Sequence, residues 1–182
     1  MKTSLLRILI CVAVVTIPAG AGENASTPGP MARFAAAFEG KWKIQVTVPG
    51  AGGKPGQTLG TGEERFYPGP GGRSFVEEYH STGAEGEVSG LGVVWWNSES
   101  KNYEVLWCDN GTPNGCAAVK SGAKWEADDF VVLTTKNREG KKVNVKEVFS
   151  KSSPDSFTQT IYEAAEGGKW EVEVRIEATR MK

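Results

Sequence analysis

The chain has 182 residues, 39% hydrophobic, 24% charged and 9% aromatic, with a formal net charge of -1, which describes one ordinary globular domain. Its 21 basic and 22 acidic side chains are interspersed, so no basic field exists to hold a nucleic-acid backbone, and nucleic acid is excluded as a partner. A single histidine, His80, leaves little material for imidazole chemistry or a histidine-ligated metal, and neither a metal nor a cofactor is expected.

Met1–Arg7 carries Lys2 and Arg7 with no acid, Ile8–Ile17 is apolar except for Thr16, and Pro18-Ala19-Gly20-Ala21 ends the run with small residues. This is the layout of a secretory signal peptide over residues 1–21. The apolar run is about half the length a bilayer crossing needs, which favours a cleaved leader over a retained anchor. A secreted or periplasmic protein without membrane insertion is expected, with 19 basic against 22 acidic side chains once Lys2 and Arg7 are removed.

Export bears on the cysteines. Cys108 and Cys116 are the pair left in the mature chain, and Asp109-Asn-Gly-Thr-Pro-Asn-Gly115 between them is turn chemistry. A disulfide across a hairpin is expected in an oxidising compartment, with two unpaired thiols as the alternative. A metal held by the two thiolates is a poorer reading, because no further cysteine or nearby histidine completes a ligand set.

Residues 22–29 form a polar leader, and the remainder, 30–182, reads as one domain. Met31, Phe34, Ala35 and Phe38 fall at i, i+3, i+4 and i+7, with Pro30 in the first turn and Gly40 just past the end. This predicts one short amphipathic helix. From Gly40 the period becomes two: Trp42, Ile44, Val46 and Val48 share one face and Lys43, Gln45 and Thr47 the other, as in a half-buried strand.

Further strands are expected at 58–67, 73–81, 87–97, 102–108, 116–120, 124–126, 130–135, 142–150, 157–163 and 169–181, with glycine, proline or asparagine turns between most of them. In the last, Trp170, Val172, Val174, Ile176 and Ala178 alternate with Glu171, Glu173, Arg175, Glu177 and Thr179. A meander of one-faced strands leaves two sticky edges unless it closes, so the fold class is all-β, a closed antiparallel up-and-down barrel of about ten strands with one short N-terminal helix. The glycine-rich loops at 49–56 and 68–72 lack the P-loop pattern and read as rims of the barrel mouth.

The short helix followed by Gly40-Lys41-Trp42 resembles the lipocalin-like (calycin) barrels, in which a G-x-W motif starts the first strand. Phe38-Glu-Gly-Lys-Trp42, Gly60-x-Gly-Glu-Glu64, Gly71-Gly-Arg73, Gly90-Leu-Gly-Val-Val94 and Tyr103-Glu-Val-Leu-Trp-Cys-Asp109 resemble the bacterial family DUF1579. That resemblance implies a barrel and no established activity. The last strands contain no histidine, a departure from haem-binding nitrobindin-like relatives. Arg180 shares the parity of Val174 and Ile176, and the lipocalin-like resemblance implies that it packs across Trp42; the alternative is fraying into solvent near the C-terminus.

Two groups of residues are candidate ligand contacts. In the strand at 73–81, Val76, Glu78 and His80 face one way and Phe75, Glu77 and Tyr79 the other. Whichever set points inward places a carboxylate in an apolar cavity, where burial raises its pKa. Trp95, Trp96, Trp107 and Tyr103 supply enough aromatic area to line a cavity. The reading favoured is a binding protein whose interior takes a small apolar or amphipathic molecule, contacted by these aromatics with Glu78 and His80. No catalytic residue is assigned; an enzyme using Glu78 and His80 as acid and base, or an envelope scaffold, are the alternatives.

Overall fold

The computed structural model describes residues 29–50, 56–112 and 115–182, with Ser121 described through its backbone alone. The expected signal peptide and leader residues 22–28 lie outside the described residues. Helix α1 (Pro30–Phe38) has proline at its first position and buries Phe34 and Phe38. Proline suits that position because its missing N–H would have no helical partner there.

Ten strands follow: β1 (Gly40–Val48), β2 (Gln57–Pro68), β3 (Ser74–Gly83), β4 (Gly86–Asn97), β5 (Asn102–Asp109), β6 (Cys116–Glu126), β7 (Asp129–Arg138), β8 (Lys141–Ser153), β9 (Ser156–Ala165) and β10 (Glu171–Arg180). Each pairs with the next, and β10 returns to β1 to close the barrel. In the closing seam Trp42 stands opposite Arg180, Ile44 opposite Ala178 and Val46 opposite Ile176, all antiparallel. No edge is left at that seam to invite pairing with another chain.

The two segments expected at 116–120 and 124–126 are one strand. Gly122 adopts φ +106°, and between Tyr103–Val105 and Val119–Ala123 the register of β5 and β6 shifts. The glycine makes a bulge, which bends the strand without ending it. A second bulge, between Val172 and Val174 of β10, corrects the expectation that Trp170 shares the core face. Trp170 precedes the strand and is 41% exposed, with the Lys146 ammonium over its ring at 5.0 Å.

The strand direction separates the barrel into two ends. At the end where β1 begins, α1 inserts Phe34 and Phe38 among Trp42, Phe66, Phe130, Phe149 and Phe157, all buried. Trp42 and Phe157 meet edge to face at 4.8 Å and Phe34 and Phe130 at 5.2 Å, an arrangement favoured by aromatic quadrupoles. The helix plugs this end. The loop at 68–72 lies there too, because β2 ends and β3 begins on the plugged side, which corrects its assignment to the mouth.

Cys108 and Cys116 stand opposite each other in register and are disulfide-bonded, with α-carbons 4.0 Å apart. A formed disulfide fits an oxidising compartment. Chain entropy for a bridge of sequence separation 8 gives about 2.5 kcal/mol, so Cys116→Ser is expected to lower the unfolding free energy by about that amount. Thiol titration of the unfolded chain from residue 22 onward should find no free sulfhydryl, and two reactive thiols would refute the bridge.

Candidate functional site

The open end of the barrel contains a cavity of about 450 Å³, a size suited to a small organic molecule. Its walls are mostly apolar: Phe34 and Phe149 toward the plug, Val46, Val94, Val132, Val145, Val174 and Ile176 around it, and Trp107 toward the mouth. The polar groups reaching it include Glu77, Glu147 and Gln159 toward the base and Asp109 and Lys136 toward the rim.

Parity decides which side chains arrive here. On β3 the inward set is Phe75, Glu77, Tyr79 and Ser81, with Phe75, Glu77 and Ser81 buried. Glu78 and His80 therefore point outward, and this corrects their assignment to the ligand site. Glu78 accepts a hydrogen bond from the Tyr67 hydroxyl at 2.9 Å and lies 3.8 Å from Arg65. His80 sits 3.2 Å from the Ser89 hydroxyl and 3.5 Å from Glu87. Both are solvated on the outer wall, and an acid and base pair made from them has no cavity to act in.

The aromatic expectation divides. Trp107 lines the cavity and meets Tyr79 edge to face at 6.1 Å. Its indole N–H donates to Asp109 at 2.6 Å, and its ring occupies the space that a β-carbon on Gly90 would need, 2.4 Å away. Trp96 and Tyr103 point inward but at the plugged end, stacked edge to face at 5.0 Å, where the Tyr103 hydroxyl donates to the Pro30 carbonyl at 2.9 Å. Helix α1 keeps them away from the cavity. Trp95, the next residue on the strand, has the outward parity. Neither Trp95, Trp96 nor Tyr103 lines the cavity.

Three residues that were not foreseen complete the base. Glu64 is 1% exposed, directed inward by the same parity as Phe66, and its carboxyl lies beside that of Glu77, with which it shares a hydrogen bond. Glu147 enters from β8 and accepts a short hydrogen bond from the Gln159 amide. The other end of that amide, Gln159 Oε1, has no donor. Gly92 makes room for Glu77, since a β-carbon there would lie 2.7 Å from Glu77 Oε2.

Burial governs the protonation of this group. Loss of water raises Glu64 to about 7, with the Glu147 charge adding to the rise and the neighbouring Glu77 carboxyl pulling the other way. Glu77 is pushed well above the ordinary carboxylate range, first by burial and then by the charge of Glu64. Glu147 is also raised by burial, against the lowering effect of Gln159. Desolvation disfavours an anion, and three carboxyls sharing one apolar interior cannot all ionise without cost.

At the mouth the electrostatics reverse. Partial burial would raise Asp109, but hydrogen bonds from Thr112, Trp107 and Gly111 outweigh it and hold the carboxyl below its usual range. The same bonds fix the loop ahead of Cys116. Lys136 and Arg138 both pair with Glu163, Arg138 at 3.0 Å, and Arg138 also meets Glu173 at 3.0 Å. The ladder between β6 and β7 covers only Ala123–Glu126 against Asp129–Val132, so toward the mouth these strands diverge. An outer groove beside Leu133 and Trp170 shares Val119, Thr134 and Val145 with the cavity.

A family model described as "Protein of unknown function (DUF1579)" matches residues 27–180. The chain belongs to DUF1579. No curated protein matches the sequence. Among solved structures, this DUF1579 barrel is similar to a de novo designed fluorescence-activating β-barrel at 16% identity and a TM-score of 0.42, covering 81% of this chain and 97% of that one. It is also similar to a redesigned β-barrel bound to DFHBI, at 14% identity and a TM-score of 0.41, covering 79% and 99%. None of these likenesses bears on what the DUF1579 cavity holds.

Proposed function

We propose that this protein is an exported barrel that binds a small apolar or amphipathic molecule in its interior. The observation that carries the reading is the cavity itself, about 450 Å³, mostly apolar and open at one end. Folding normally fills such space, because a buried void forfeits dispersion contacts. Here α1 packs one end solidly with aromatic rings while the other end keeps its volume, which favours a ligand over a scaffold role. Export rests on the signal-peptide pattern and on the disulfide.

The test is titration with prodan, a neutral apolar fluorophore. Its emission should shift to the blue with concurrent quenching of tryptophan fluorescence. Trp107→Ala should weaken binding by about tenfold, the worth of one aromatic stacking contact. Val174→Trp, which fills the cavity from β10, should abolish it. Absence of prodan binding, or binding indifferent to both substitutions, overturns the reading.

A further inference from the structure

The base of the cavity presents carboxyls and one amide oxygen that has no donor. Gln159 is 5% exposed, lines the cavity, and has an amide oxygen with no donor. Glu77 and Glu147 line the same space, and the Glu64 carboxyl lies beside Glu77. A buried acceptor left without a donor costs about 1–3 kcal/mol, so the Gln159 oxygen calls for a donor from outside the chain.

The charged surroundings point the same way. The titratable or charged groups facing this base are Glu64 from β2, Glu77 and Tyr79 from β3, Asp109 from β5, Lys136 from β7, Glu147 from β8 and, at the rim, Glu163 with Arg138. Helix α1 and strands β1, β4, β6 and β10 contribute only apolar side chains to the lining. The two cations at the rim are committed to Glu163 and Glu173. No cation among the described residues reaches the carboxyls at the base. A phosphate or carboxylate ligand would find no cation there to pair with.

We propose that the cavity takes a primary organic amine with an apolar body, its three N–H groups donating to Glu147, Gln159 and Glu77 and its apolar portion lying against Trp107, Val94 and Phe149. This deepens the small-molecule reading and rests on it. An ammonium group supplies both the donors and the positive charge that the base lacks, and charge-assisted hydrogen bonds in a water-poor site are about twice as strong as neutral ones. Because the carboxyls hold protons when the cavity is empty, the cation displaces protons to solvent as it binds. Affinity therefore rises with pH until the amine itself loses its charge.

The discriminating experiment is calorimetric titration with 4-phenylbutylamine, its neutral isostere 4-phenylbutan-1-ol and the anion 4-phenylbutyrate, beside prodan as the control for cavity access. At about pH 8 the amine is expected to bind at least about tenfold tighter than the alcohol, with proton release seen as a dependence of heat on buffer ionisation. Lowering the pH to about 5.5 should shrink that preference while the alcohol holds steady. Glu147→Gln should bring amine and alcohol close together, and Glu77→Gln provides the same comparison if Glu147→Gln does not fold. Equal amine and alcohol affinities, or tighter 4-phenylbutyrate, with prodan still bound, would overturn the amine assignment alone. Failure of prodan as well removes the underlying small-molecule reading.

Discussion

The empty barrel should lose stability as the pH rises from about 5 to about 8, against the usual expectation that a mildly acidic protein is most stable near neutrality. Glu64 carries the argument, because it is fully buried and its pKa is raised from 4.5 to about 7. The sign follows from proton counting. Between those two values the folded chain holds a proton that the unfolded chain has released, so the contribution is fully present below about 4.5 and is lost as the pH passes through about 7. A shift of that size corresponds to about 3 kcal/mol, or about 10 °C in melting temperature for a chain of this length. Glu77 and Glu147, both raised by burial, act in the same direction. Asp109, held low, acts oppositely, but its contribution disappears only in acid below that window.

Thermal melts across this range therefore separate the buried carboxyls from the rest of the surface. Glu64→Gln should remove part of the decline, leaving the part set by Glu77 and Glu147, and make the barrel more stable than the parent at about pH 8, since the amide keeps the shape and removes the charge. A melting temperature that is level or rising between about pH 5 and 8 would show that water reaches Glu64 and that the acidic base of the cavity is solvated. The same physics connects stability to the proposed ligand. A bound cation would compensate the ionised carboxyls, and ligand that binds only the folded state stabilises it by mass action.

Much of this site was legible as parity and illegible as assignment. Alternation in β1 marks Trp42, Ile44 and Val46 as one face, and closure places that face inside without further information. On β3 each face carries a glutamate, so the sequence alone could not say whether Glu77 or Glu78 enters the cavity; both readings satisfy period two. Glu64, Glu147 and Gln159 were missed although each shares the parity of a neighbouring phenylalanine two residues away, Phe66, Phe149 and Phe157. That signal would have found them once the core face was fixed. Trp96 and Trp107, expected to share the cavity wall, part company because depth along the barrel is set by α1. Its insertion fills the end where Trp96 lies and leaves empty the end where Trp107 lies. The bulge at Gly122 and that before Val174 reset alternation through backbone geometry, which is why one strand read as two and why Trp170 read as core.

Arg180→Ala should cost far more stability than Arg175→Ala, although both replace an arginine on β10. The Arg180 guanidinium lies 4.1 Å from the centre of the Trp42 ring, and Trp42 is fully buried with its indole N–H donating to the Phe38 carbonyl at 2.8 Å. Arg180 also donates to the carbonyls of Glu39 at 2.7 Å and Pro154 at 3.2 Å, and its Nε lies 3.4 Å from Asp155. One planar cation thus joins the end of α1, the β8–β9 turn and the closing strand. A cation–π contact contributes about 0.5–2 kcal/mol and each charge-assisted hydrogen bond about as much again, so a loss of about 3 kcal/mol is expected, roughly 10 °C in melting temperature. Arg175 has the outward parity and is exposed, and its replacement should stay within about 0.5 kcal/mol. Gly40 supplies an independent check. It holds φ +136°, and a β-carbon there would stand 2.4 Å from Arg180 Nη1, so Gly40→Ala combines backbone strain with displacement of the guanidinium. If the stacked arginine closes the barrel, Gly40→Ala in the Arg180→Ala background should cost measurably less than in the parent, because the clash has already been removed. Full additivity of the two substitutions, or equal small effects of Arg180→Ala and Arg175→Ala, would show that the seam between β1 and β10 is held by its backbone ladder and by Trp42 packing alone.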